Sequence, residues 1–170
     1  RITTWTDKSG YVLAKYLVSS ADKVEQPSVS RSSSGTSTAA PPQSTEGKAL
    51  ADQIVEYAKS FLGVPYVWGG HSPKGFDCSG FTYYVFGHFG IKLPSSSYSY
   101  SSVGTKVSRS ELQKGDILMW DINRNGTVGH VGIYIGDGMF IHASSSHKKV
   151  VIRSLATYSE KYLGARRVIK

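Results

Sequence analysis

A single cysteine stands in this chain, within the string Phe76-Asp77-Cys78-Ser79-Gly80-Phe81. Alone it has no partner for an internal disulfide, and by itself it cannot build a zinc site. What remains is an inert buried thiol, a chance surface residue or a nucleophile. Asp77 can cap a helix, Gly80 lets a substrate backbone come close, and the apolar residues Phe81, Tyr84 and Val85 follow. This pattern puts the sulfur in the first turn of a helix. There the free N–H groups and the helix dipole favour thiolate and lower the thiol pKa.

A thiol nucleophile needs a base, and the base needs a group that orients it. Five histidines are present: His71, His88, His130, His142 and His147. His130 and His142 flank one predicted hairpin. With Gly136-Asp137-Gly138 as a three-residue loop, Ile135 pairs with Met139, His130 lies opposite Ser144, and His142 lies opposite Gly132. Both histidines then share a face as diagonal neighbours, about 7–8 Å apart. A two-residue loop would send them to opposite faces. Gly129 and Gly132 weaken the strand and mark the close approach of something else, either the Cys78 helix or a substrate. Either histidine taken alone reads better as a satisfied core residue. Zinc held by Cys78 and the two histidines would lack a fourth ligand, so no metal and no cofactor are expected.

The elements that must position these residues follow from periodicity. Leu50, Ile54, Tyr57, Ala58 and Phe61 share one helical face, with Ser44 or Thr45 as cap and Gly63 and Pro65 as the stop. A glycine-rich loop runs from Gly63 to Gly75, where Tyr66 and Trp68 read as packing or groove-lining residues. A second helix starts near Cys78 and ends around Gly87 to Gly90, and a short third helix is expected after Pro94. Beyond Gly115 the period changes to two. Strands are expected at Asp116–Trp120, around Val131–Ile135, Met139–Ala143, Val150–Arg153 and Ala165–Ile169. Helices first and an antiparallel sheet afterwards give an α+β fold with about five to six strands.

Composition bounds the rest. Residues 19–47 are dominated by Ser, Thr, Ala, Pro and Gln, which bury too little apolar area to offset chain entropy, so they read as a flexible linker. Residues 1–18 are apolar and aromatic, and the folded domain is expected over 48–170. No apolar stretch is long enough to span a membrane. The net charge is +8, with Lys148, Lys149, Arg153, Lys161, Arg166, Arg167 and Lys170 gathered near the end. Such a surface suits an anionic partner, either nucleic acid or a cell-wall or membrane surface, or simply keeps the protein soluble. Neither an RNA-binding aromatic signature nor zinc-finger spacing is present, which disfavours nucleic acid. A monomer is expected.

Region 48–170 resembles the NlpC family of bacterial cell-wall cysteine peptidases, which have a papain-like fold. Four ordered segments carry the likeness: Gly63-Val64-Pro65-Tyr66-Val67-Trp68-Gly69-Gly70, the Cys78 string, Leu112 to Leu118 with its Gly115-Asp116 pair, and Gly129 to Gly136 with Ile141-His142-Ala143. The resemblance implies hydrolysis of peptidoglycan stem peptides, usually between γ-D-glutamate and a diamino acid. It implies Cys78 as nucleophile, His130 as general base and acid, and His142 as the polar third member. Tyr66 would lie near the developing oxyanion, Asp77 and Ser79 would contact the peptide end, and Trp68 would line the groove. Asp77 suits a free amine, hence peptides already trimmed of glycan. One departure stands out: Ser95-Ser96-Ser97 follows Leu93-Pro94, where the family often has Arg-Thr or Arg-Ser. Residues 1–18 resemble the last strands of a bacterial SH3-like domain, through Gly10 to Leu17. Such a protein would be secreted or wall-associated. The alternatives are an N-acetylmuramoyl-L-alanine amidase on the same fold, a non-catalytic wall-binding module, and acyl transfer to a lipid amine.

Overall fold

The computed structural model describes residues 41–170, so the SH3-like resemblance of 1–18 and most of the expected linker lie outside the described residues. Helix α1 runs Thr45–Lys59, and the Gly47 N–H donates to the side chain of its cap, Ser44. Its apolar stripe seats Ala51, Ile54 and Ala58 in the core, with Leu50, Tyr57 and Phe61 packed against them. Residues 43–47 were expected as linker from their composition, yet they join the packed structure. Gln43 is buried, its N–H donates to Gln113 Oε1 and its side-chain amide to the Lys114 carbonyl, and Ser44 Oγ donates to the Lys170 carbonyl.

Two short strands, β1 (His71–Ser72) and β2 (Gly75–Phe76), form a small hairpin just ahead of helix α2 (Cys78–His88). The expected third helix is a 3-10 turn over Ser97–Ser102. It leads to β3 (Thr105–Val107), a strand that the sequence reading did not foresee. Four longer strands and a last one follow: β4 (Ile117–Asp121), β5 (His130–Gly136), β6 (Met139–Ser144), β7 (Lys149–Ser154) and β8 (Lys161–Arg167). They make one six-stranded sheet in the order β3-β8-β4-β5-β6-β7, antiparallel at every pairing. This is the α+β, papain-like architecture expected.

The period of two does not mean a solvated face here, since β4 is buried along its whole length. Ile117, Met119, Val131, Ile133, Ile141 and Ala143 face the helices and share their core. On the other face Leu118, Trp120 and Phe140 cluster beneath Leu155, Tyr158 and Tyr162. Leu155 and Tyr158 of the β7–β8 connection, which carries no alternation to announce it, thus cover this face together with Tyr162 of β8. Full burial of one such large apolar side chain is worth about 1.5–3 kcal/mol, so this small cluster adds real stability.

The Gly115-Asp116 pair opens β4 by anchoring it. Gly115 has φ +83°, a backbone state that disfavours a side chain. The buried Arg167 donates from Nε and Nη2 to both Asp116 carboxylate oxygens at 2.8 Å, and also to the carbonyls of Pro41 and Glu111. Arg167 is thus a structural tie between the last strand and the segments at Pro41 and Glu111, not part of a basic surface.

Candidate active site

Cys78 is the first residue of α2, and Asp77 is the cap. The Asp77 carboxylate accepts from the Gly80 N–H at 2.6 Å, from Ser79 Oγ at 3.2 Å and, through its other oxygen, from the Gly69 N–H at 3.0 Å. The helix start is thereby locked to the glycine-rich loop, and the Asp77 N–H donates back to the Gly70 carbonyl. This corrects the expectation for Gly80. A Cβ there would sit 2.1 Å from the Gly70 carbonyl oxygen, so Gly80 admits the neighbouring loop rather than a substrate backbone. The loop is held in turn against the sheet, since the Tyr66 N–H donates to the Lys148 carbonyl and the Val150 N–H to the Val64 carbonyl.

The hairpin carrying the histidines has the expected register but not the expected turn. Ile133 pairs with Ile141 and Tyr134 with Phe140, while Gly136 pairs with Met139 across a two-residue turn. Asp137 and Gly138 both have positive φ there, as a tight hairpin turn requires. A two-residue turn alone would have put the histidines on opposite faces. A bulge between Tyr134 and Gly136 adds the missing residue and restores the alignment. His130 Nε2 and His142 Nδ1 accordingly meet at 2.6 Å. Gly132 lies opposite His142. A Cβ on it would come within 3.0 Å of Phe140 and 3.2 Å of the His142 Cβ, so the close approach is by these two side chains, not by the helix or a substrate.

Cys78 and His130 line one cleft of about 330 Å³, together with Tyr66, Trp68, Asp77 and Ser79. The expected site residues are thus brought together, with His142 behind His130 and only 2% exposed. Trp68 stands at the rim, 88% exposed. Ser95, Ser96, Ser97, Tyr98, Ile122, Gly129 and Ser145 complete the lining. The sequence marks the serine run as a short helix and as a departure from a motif, not as cleft lining, and Ile122 and Ser145 carry no sequence signal at all. Nor does Tyr158, whose ring sits edge-on to His142 and tilted beside His130 on the buried side.

The electrostatics overturn one expectation. Burial pushes the Cys78 thiol up to about 11, outweighing the N–H groups of Val131, Ser79 and Cys78 itself, which favour thiolate. Burial also pulls His130 down to about 4, and His142 to about 2 with help from His130, Arg153 and His147. The helix start therefore does not win against desolvation. Burial thus favours the neutral form of each of the three groups in the free site. No group of side chains suited to a metal ion occurs among the described residues, and no described helix is long and apolar enough to cross a membrane.

With this geometry in view, comparison with known proteins is specific. The NlpC/P60 family pattern matches residues 63–167. A gamma-D-glutamyl-L-lysine dipeptidyl-peptidase of Bacillus cereus is 43% identical over 122 residues, covering 70% of this chain and 37% of that protein. The murein DD-endopeptidase MepS/murein LD-carboxypeptidase of Escherichia coli is 42% identical over 124 residues, covering 71% of this chain and 64% of its own length. The NlpC/p60 domain of the peptidoglycan hydrolase SagA superposes with a TM-score of 0.61 at 38% identity, over 69% of this chain and 98% of that one. The chain thus spans between 18% and 64% of the length of such curated relatives.

Proposed function

The chain belongs to the NlpC/P60 family, and on that premise we propose that it is a peptidoglycan hydrolase that cuts stem peptides with Cys78 as nucleophile. The observation that carries this reading is the His130–His142 pair at 2.6 Å, opening onto the cleft that Cys78 also lines. His142 occupies Nε2 of His130, which leaves Nδ1 to serve the thiol. For Nδ1 to accept a proton, Nε2 must carry its hydrogen and donate to His142 Nδ1.

The reaction then starts from a neutral pair. As the sulfur attacks the scissile carbonyl, the S–H proton passes to His130 Nδ1 and the S–C bond forms. The imidazolium is stabilised by its hydrogen bond to His142. Backbone N–H groups at the start of α2 face the developing oxyanion, where one donor is typically worth about 3–4 kcal/mol. His130 then protonates the leaving amine, and water hydrolyses the thioester. His142 orients and does not itself transfer the proton.

For the bond cleaved, the γ-D-glutamyl–diamino acid linkage fits best. Two relatives are named for activity on gamma-D-glutamyl-L-lysine. Among the described residues Asp77 is the only carboxylate lining the cleft, and it suits the free amine of a trimmed stem. Tyr66, Ser79 and Trp68 lie beside it as peptide-contacting groups. The site of action is the cell wall, reached by secretion, and the exposed Lys148, Lys149 and Lys170 can contact anionic wall polymers. On sequence resemblance alone, residues 1–18 are proposed to belong to an SH3-like domain and residues 48–170 to be the catalytic domain. Mass spectrometry of digested muropeptides tests the bond. A new amine on the diamino acid supports the reading, and free lactyl groups on the glycan would instead establish an amidase.

A further inference from the structure

A second groove, of about 390 Å³, adjoins the catalytic cleft and shares Tyr98 with it as a common wall. It lies between the 3-10 turn at Ser97–Ser102 and the β3–β8 edge of the sheet. Among the described residues its lining includes Lys106 and Arg166 and no acidic side chain. The two cations stand directly opposite each other on paired strands. Like charges so placed destabilise a sheet unless something offsets them. Among the described residues neither is part of an ion pair. Arg166 donates from Nη2 to the Ser101 carbonyl, and its buried Nε has no partner. Gly164 keeps the floor open: a Cβ there would meet only the Met119 methyl, at 3.9 Å.

The catalytic cleft shows the converse chemistry. Among the described residues its lining holds Asp77, several hydroxyls, Cys78 and His130 beside apolar groups, and no lysine or arginine. A peptide whose amine lies near Asp77 finds no cation there for the carboxylate at its other end. We propose that Lys106 and Arg166 form a carboxylate subsite continuous with the catalytic cleft, which takes the free carboxylate of the substrate peptide on the leaving side of the scissile bond. This rests on the stem-peptide reading above and adds a determinant of specificity to it. Arg166 also tethers the turn that carries Tyr98, so the subsite and the shared wall are held together.

The test uses two synthetic tetrapeptides, L-alanyl-γ-D-glutamyl-L-lysyl-D-alanine as the free acid and as its terminal carboxamide. The intact chain should cleave the acid about 5–10 times more efficiently in kcat/KM, mostly through KM, as expected for a partly screened charge contact. That advantage should shrink in high salt. Lys106→Gln, at an exposed position, should reduce it to about twofold or less by lowering kcat/KM for the acid more than for the carboxamide, and Lys106→Glu should reverse it. Equal cleavage of the two peptides by the unmodified protein would overturn the subsite, as would a Lys106→Gln variant that loses the same factor on both. Cleavage of neither peptide would overturn the peptidase reading itself, and the subsite with it.

Discussion

Alkylation of Cys78 by iodoacetamide should be slow at neutral pH and should accelerate about tenfold per pH unit through the range 6 to 10. The reasoning starts from burial. Cys78 is 8% exposed and its thiol is pushed up to about 11. At pH 7 such a thiol is about one part in ten thousand thiolate. A free cysteine with a pKa of about 8.5 is about 3% thiolate; even allowing for the greater nucleophilicity of a high-pKa thiolate, Cys78 should react at least about tenfold more slowly than a free thiol. His130, pulled down to about 4 by the same burial, offers no imidazolium at rest to hold a thiolate. His130→Ala should therefore leave the pH slope of alkylation unchanged while abolishing peptide cleavage. Timed acid quenches read by intact mass give the rate at each pH. A plateau between pH 5 and 7 that disappears in His130→Ala would refute the reasoning, because it would reveal a standing thiolate–imidazolium pair.

Removing each histidine separates their roles: His130→Ala should lower kcat by about 10³-fold or more and His142→Ala by about 10–100-fold, since the second only orients the first; equal losses would contradict that division. Gly132→Ala brings a methyl group against Phe140 and His142. It should cost about 1–3 kcal/mol in urea unfolding and lower kcat more than it raises KM. Arg167→Ala strands the buried Asp116 carboxylate and should cost about 3–5 kcal/mol, read as a loss in the urea midpoint, while Lys170→Ala at the exposed terminus should cost less than about 0.5 kcal/mol.

Much of the site was legible before the structure because its logic is local. Asp77 ahead of Cys78 signals a capped helix start, and the cap forms. The spacing of His130 and His142 about one turn fixed their alignment, although the chain reaches it by a two-residue turn plus a bulge. A bulge changes the count by one residue without any required residue type, so the sequence could not distinguish the two routes. The thiol pKa failed for a different reason. The helix start is a local feature, whereas the burial that overrides it comes from the sheet and the loops around Cys78. Similarly, Tyr158 and Leu155 cover the second face of the sheet from a connection with no periodicity. Gln43 looked like linker because composition says nothing of a docking surface formed by Gln113 and Lys114, some seventy positions on. Gly80 shows how one residue type fits two explanations. Close approach was rightly read, but the partner is the Gly70 loop.

The most direct test of the account is release of soluble muropeptides from purified cell walls by the protein and by its Cys78→Ala variant, with thermal unfolding showing both to be folded. The account predicts release by the intact protein and none above blank by the variant. Release that survives Cys78→Ala would contradict it.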